Sequence, residues 1–199
     1  MVDFKKYNDN ELANLILSKD KKIARPAFDE LYRRYASSIY TYCVKMVTNR
    51  DEAQDILQDT FTNVFERLKT KKEPIENIAA YLFKTAKNLC INTKNRDNVK
   101  KLKVDASKYV TYQESLESKE RQEWLEAALN ELPIHQKEII ILKEFMNLSY
   151  NEIAVVLDIP RSSVGVMLLR AKSKLKDILS PIINDLQEKE KEIENYGIK

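Results

Sequence analysis

The stretch Leu148-Ser-Tyr-Asn-Glu-Ile-Ala-Val-Val-Leu-Asp-Ile-Pro-Arg-Ser-Ser-Val-Gly-Val-Met-Leu-Leu-Arg-Ala171 decides how the chain is read. Ser149 is suited to cap a helix, and Glu152 three residues later completes a capping box. Ile153, Ala154 and Leu157 then give that helix one apolar side. Asp158-Ile-Pro160 ends it, because Pro160 donates no backbone hydrogen bond and biases Ile159 away from helix. Ser162 or Ser163 is positioned to cap a second helix, with Val164, Leu168, Ala171 and Leu175 as its apolar stripe. Helix, short turn, helix is the layout of a DNA-binding helix-turn-helix; an ordinary helical hairpin has the same pattern.

Outward from this stretch the pattern stays helical. The 199 residues hold 2 Gly and 5 Pro, and apolar residues recur at helical spacing almost throughout, which predicts an all-α protein. A short helix is expected over Glu11–Ser18 and a long one from Pro26 to Thr48, with Phe28, Leu31, Tyr32, Tyr35, Ile39, Cys43 and Met46 as its stripe. Asn49-Arg-Asp-Glu52 caps a third, running to Leu68, with Ala53, Ile56, Leu57, Phe61, Val64, Phe65 and Leu68 inward. After the polar loop Lys69–Pro74, a fourth runs from Ile75 to Asn95, with Ile78, Leu82, Ala86, Leu89 and Cys90 inward. Periodicity fails between Asp97 and Ser118 and returns at Trp124–Leu132. Pro133 interrupts it, and Ile139–Met146 marks a further helix before the helix-turn-helix. The expected organisation is two small helical domains, 1–97 and 119–180, joined by a flexible linker, 98–118. A charged tail, 181–199, follows Pro181, which ends one helix or starts another.

The net charge of +3 is too small to imply a polyanion partner, but its distribution is uneven. Lys84–Lys103 holds seven basic residues against the single acid Asp97, and Arg161, Arg170, Lys172, Lys174 and Lys176 form a second cluster. These are two candidate phosphate-binding surfaces. Cys43 and Cys90 sit at apolar positions and read as buried thiols of a reduced compartment. His135 is the only histidine, so no His-based metal site is expected, and no cofactor motif is present. Without a signal peptide or a spanning apolar run, a cytoplasmic location is expected.

Enzyme chemistry has little support, since there is no Gly-rich phosphate loop, nucleophile elbow or HExxH. Asp55 and Asp59 share a helix face with Gln58 and Thr62, but no His or Cys accompanies them. A docking surface for a basic partner is the better reading of that pair. Tyr81, Lys84, Asn88 and Asn92 share another face. Asparagine amides can read base edges, Tyr81 with nearby Phe83 can stack on an unpaired base, and Lys84, Lys87 and Lys94 can hold phosphates. A plain polar face with Tyr81 partly in the core fits the same spacing.

Four blocks, Phe28-Asp-Glu-Leu-Tyr-Arg-Arg-Tyr35, Ala53-Gln-Asp-Ile-Leu-Gln-Asp-Thr-Phe61, Ala80-Tyr-Leu-Phe-Lys-Thr-Ala-Lys-Asn-Leu89 and Leu148–Ala171, stand in an order that resembles bacterial extracytoplasmic-function sigma factors over about residues 11–180. The resemblance implies a transcription-initiation subunit and no enzyme. It implies that Asp55, Gln58 and Asp59 dock on the β′ clamp helices of core RNA polymerase. It implies that Tyr81, Lys84, Lys87, Asn88 and Asn92 lie near the minus-ten element as it is read and melted. The second domain would hold the β flap and read the minus-thirty-five element. There the expected DNA-binding residues are Ser149, Arg161, Ser162, Ser163, Gly165, Val166, Met167, Leu169, Arg170 and Lys172. An anti-sigma factor is a further partner of the kind such proteins take.

The sequence departs from the family at two places. Tyr81 stands where many members carry Trp. In the recognition helix, members commonly show Thr-Val-Lys-Ser-Arg-Leu where this chain has Ser163-Val-Gly-Val-Met-Leu168. A lost Lys or Arg removes a phosphate or guanine contact, and Gly165 lowers helix stability by up to ~1 kcal/mol. Two expectations follow: an unusual upstream element touched by Val166, Met167 and Leu169, or recruitment by another DNA-bound protein or nucleoprotein complex. The competing classes are a helix-turn-helix regulator that does not join core polymerase, and a helical adaptor that binds neither DNA nor polymerase.

Overall fold

The structure, a computed structural model, describes residues 3–47, 49–70, 75–100 and 116–196. The described residues are helical, with no strand among them. A 3₁₀ turn at Phe4–Lys6 precedes α1 (Asp9–Ile16), α2 (Lys21–Val47), α3 (Arg50–Thr70) and α4 (Ile78–Lys100). Then come α5 (Leu116–Glu131), α6 (Ile134–Ile140) continued by a π-helical turn at Ile141–Phe145, α7 (Tyr150–Leu157) and α8 (Arg161–Tyr196). Thr48, the 71–74 part of the expected loop, and 101–115 of the expected linker, with Lys101 and Lys103, lie outside the described residues. Helix α4 extends to Lys100 and α5 starts at Leu116, so both reach into the stretch expected as linker.

Two compact units form. One comprises Met1–Val104 with Ile141–Arg161, the other Asp105–Ile140 with Ser162–Lys199. In the first, α1 packs on α2, α2 on α3, α3 on α4, and α4 also meets α2 and α7. Of the expected stripes, Leu31, Ile39, Cys43 and Met46 of α2, Ala53, Ile56, Leu57, Phe61 and Val64 of α3, and Ile78, Leu82, Ala86 and Cys90 of α4 are buried, whereas Phe28, Tyr35, Phe65, Leu68 and Leu89 are half-buried and Tyr32 is exposed. Both cysteines are buried and neither is in a disulfide. In the second unit, Ala128, Leu129, Leu132, Ile139, Ile140, Val164, Leu168 and Ala171 are buried.

Several boundaries differ from expectation for local reasons. Helix α1 starts at Asp9 because Asn8, not a later residue, forms a capping box with Glu11: each side chain binds the other's backbone N–H, at 2.9 and 2.7 Å. Helix α2 starts five residues before Pro26. Asp20 Oδ1 accepts from Lys22 N at 2.8 Å, and the Asp20 carbonyl accepts from Ile23 N and Ala24 N. Pro26 removes only the bond to the Lys22 carbonyl, and Lys22 is exposed to water. Pro181 neither ends nor starts a helix but lies inside α8. The π turn, with Asn147 just beyond it at φ 53°, was not anticipated.

The N-terminal segment is tied to α2 by Arg34. Its guanidinium donates to Asp9 Oδ1 at 2.8 Å and Glu30 Oε1 at 2.9 Å, and to the carbonyls of Phe4, Lys5 and Tyr7 at 3.5, 3.2 and 2.8 Å. The Tyr35 hydroxyl donates to Asp9 as well. Glu30, nearly buried, also accepts two bonds from Arg33 at 2.9 and 2.8 Å. The Arg33 hydrogen bonds hold its carboxyl down at about 2, against the opposing effect of burial, with Arg34 adding to the depression. A folded value below the unfolded one gives stability that is present above the unfolded value and lost as pH falls. We therefore expect an acid-unfolding step between about pH 4.5 and 2. In Glu30→Gln that step should be blunted in chemical-denaturation curves, with stability near neutrality lowered by roughly 2 kcal/mol.

Candidate nucleic-acid and polymerase interface

Helix α3 has two sides of opposite character. Asp55, Gln58, Asp59 and Thr62 are exposed, and opposite them lies the buried row that includes Thr60. Thr60 is accommodated there because its hydroxyl donates to the Ile56 carbonyl at 2.7 Å. An aromatic cluster fixes α3 on α2. Phe28 meets Phe61 and Phe65 edge-on at 6.1 and 5.6 Å between centroids, and Tyr32 meets Phe61 at 4.7 Å. The carboxylates thus stand on a held helix, facing water.

Helix α4 divides likewise. Asn77 caps it, its Oδ1 accepting from Ala80 N at 2.8 Å. Asn88 and Asn92 are exposed, while Tyr81, Lys84, Lys87 and Lys94 are half-buried. Phe83 does not belong to this face. It is buried and meets Tyr42 edge-on at 5.7 Å, so it is unavailable for base stacking. The face is also engaged by α7. Asn77 Nδ2 donates to Glu152 Oε1 at 3.3 Å, Lys87 Nζ to the Val156 carbonyl at 3.2 Å, and Lys84 Nζ lies 3.7 Å from Asp158 Oδ1. Asp158 is 85% exposed, so the ion pair is worth little. Sequence spacing does not reveal these cross-helix partners, and the helix starts at Ile78 and not at the expected Ile75 because Asn77 caps it.

The start of α7 is as expected. Ser149 Oγ accepts from Glu152 N at 3.3 Å, and Glu152 Oε2 accepts from Ser149 N at 2.8 Å. Burial works to raise the Glu152 carboxyl, but its bonds from Ser149 and Asn77 outweigh that and bring it below its usual value. Ile153 and Val156 are the buried residues of α7, with Ala154 and Leu157 half-buried. Asp158, at φ 59°, closes the helix in the left-handed region, where a short polar side chain is tolerated. Helix α8 then begins at Arg161, which places Ser162 and Ser163 inside its first turn and not at its cap. Arg161 Nε donates to Asn151 Oδ1 at 2.8 Å. Along α8, Ser162, Val166, Leu169, Arg170 and Lys172 are exposed, and Ser163, Gly165 and Met167 are half-buried.

Two sigma-70 family models match: region 2 over residues 31–98, which spans α2 to α4, and region 4 over residues 122–175, which contains the helix-turn-helix. An RNA polymerase sigma factor of Bacillus subtilis, YlaC, is 31% identical over 160 residues, covering 76% of this chain and 91% of its own. The chain belongs to the extracytoplasmic-function sigma factors. A second B. subtilis relative, the ECF RNA polymerase sigma factor SigM, is 24% identical, covering 79% of this chain and 98% of its own. The fold is shared with CnrH, solved in complex with the cytosolic domain of CnrY, at TM-score 0.65 and 22% identity over 87% of this chain and 97% of that one. It is shared too with the sigma factor RpoE of Bartonella quintana, solved in complex with the anti-sigma factor NepR, at 0.62 and 21% over 77% and 96%. This sigma factor works with core RNA polymerase to direct promoter recognition and transcription initiation. Its family is not an enzyme family, and no helix among the described residues is long and apolar enough to cross a membrane.

Neighbouring aromatics on α4 should respond differently to truncation. Phe83→Ala should lose about 3–5 kcal/mol of stability, whereas Tyr81→Ala should melt close to the parent. Ser149→Ala should lose about 1 kcal/mol in urea unfolding, the usual loss for an N-cap.

Proposed function

We propose that this sigma factor divides its work as its exposed residues divide. Asp55, Gln58 and Asp59 take the basic face of the β′ clamp helices. Tyr81, Lys84, Lys87, Asn88 and Asn92 capture the minus-ten element. The segment from Ser149 to Lys172 addresses the minus-thirty-five element, with the β flap as the second polymerase contact. On this reading the functional division stays at 98–118, although Ile141–Arg161 packs within the first compact unit.

The observation that carries the proposal is the exposure of Asp55, Gln58 and Asp59 on a helix whose other side is core. Nothing in the packing of α3 requires carboxylates there, so their placement is open to a partner. Melting needs no covalent chemistry. Unpairing costs a few kcal/mol per base, and stacking on Tyr81 with phosphate contacts from Lys84 and Lys87 offsets part of it. The protein is placed in the bacterial cytoplasm, where polymerase is. The anti-sigma complex named for the RpoE structure supports a partner of that kind here. Were the atypical recognition helix to read no upstream DNA, a DNA-bound recruiting protein or nucleoprotein complex would be the other route to promoters.

Asp55→Lys with Asp59→Lys should abolish co-purification with core polymerase while leaving the thermal melt unchanged. Stable binding by the double variant would remove α3 from the docking surface. Tyr81→Ala should lower open-complex formation on duplex promoters and be rescued on a template whose minus-ten region is already unpaired.

A further inference from the structure

The outward side of α8 lacks what a recognition helix ordinarily carries. Ser162, Gly165, Val166 and Leu169 fall on one side of the helix, at spacings of three, four and seven residues. Val166 is 51% exposed and Leu169 71%, while the opposite stripe, Val164, Leu168 and Ala171, is buried. Neither Val166 nor Leu169 has a polar side-chain atom, so neither can hydrogen-bond to a base edge. The only apolar feature that bases present in the major groove is the C5 methyl of thymine. Gly165 adds no side chain beside them, which lets the helix backbone come close to a groove floor.

The surroundings point to DNA as the occupant. Between Asp158 and Asp177 the chain has no acidic residue and five cations, Arg161, Arg170, Lys172, Lys174 and Lys176, all exposed. A cationic helix with an uncharged centre matches phosphates flanking a groove. We propose that Val166 and Leu169 select the upstream promoter element through thymine methyl groups, with Arg170 and Lys172 on phosphates, in place of the guanine contacts that Lys or Arg would make. The inference rests on the sigma-factor reading and adds the chemistry of the element.

The test uses the reconstituted holoenzyme. Its assembly from full-length chain and core polymerase is confirmed by size before DNA is added, so a failure there counts against the sigma-factor reading itself. Bound sites are then selected from DNA randomised upstream of a fixed minus-ten region. The expected result is an upstream element containing thymines, in which replacing each critical thymine by deoxyuridine, which removes only the methyl, weakens occupancy roughly fourfold. Val166→Ala and Leu169→Ala should each erase the sensitivity at one position. Both replacements are on the surface, so parallel thermal melts will show whether the fold is kept. An element insensitive to deoxyuridine overturns the proposal, as does the absence of any upstream preference. So does an effect of the two alanine variants seen only when a second DNA-bound protein is supplied, because the stripe would then be a protein-docking surface.

Discussion

Helix α4 is met by α1, α2, α3 and α7, and what it can offer to any partner is the strip that this packing leaves over. Its inward side is fully used: Ile78, Leu82, Ala86 and Cys90 are buried, and Phe83 is locked against Tyr42. On the face shared by Tyr81, Lys84, Asn88 and Asn92, the two asparagines are exposed, while Tyr81, Lys84 and nearby Lys87 are half-covered. What α4 presents outward is therefore confined to a narrow band. Its position is set by the core behind it, and a change in the core moves the band.

The same coupling runs through the two ends of the first unit. Arg34 gathers the carbonyls of the first turn, Asp9 and Glu30 into one point on α2. The aromatic cluster of Phe28, Tyr32, Phe61 and Phe65 then carries α2 onto α3, where the exposed carboxylates stand. Polar ties and ring contacts act on different sides of α2, so each steadies what the other leaves loose.

Much of this was legible because it is periodic. The stripe of α3 named most of its buried residues, those of α2 and α4 named about half of theirs, missing Tyr42, Val47 and Phe83 and including the exposed Tyr32, and Ser149 with Glu152 marked the start of α7. What was not legible depends on contacts between segments distant in sequence. Phe83 stands two residues from Tyr81 in the same block, which makes it look like a partner; its role is decided by Tyr42, on another helix. Lys84 and Lys87 looked like open cations, and their partners on α7 lie about 70 residues away. The early starts of α1 and α2 were hidden for a different reason. Asn8 and Asp20 act through local side-chain bonds that the apolar stripe does not register.

Helix α8 carries the proposed thymine-reading stripe and the charged tail on one continuous rod of 36 residues, about 54 Å long. Pro181 sits roughly 30 Å along it, where the bond to the Asp177 carbonyl is lost and bending is easiest. The rod thus has a stiff portion bearing Val166 and Leu169 and a farther portion beyond a compliant joint. Any bend at Pro181 redirects the tail and leaves Val166 and Leu169, which precede it on the helix, where they are.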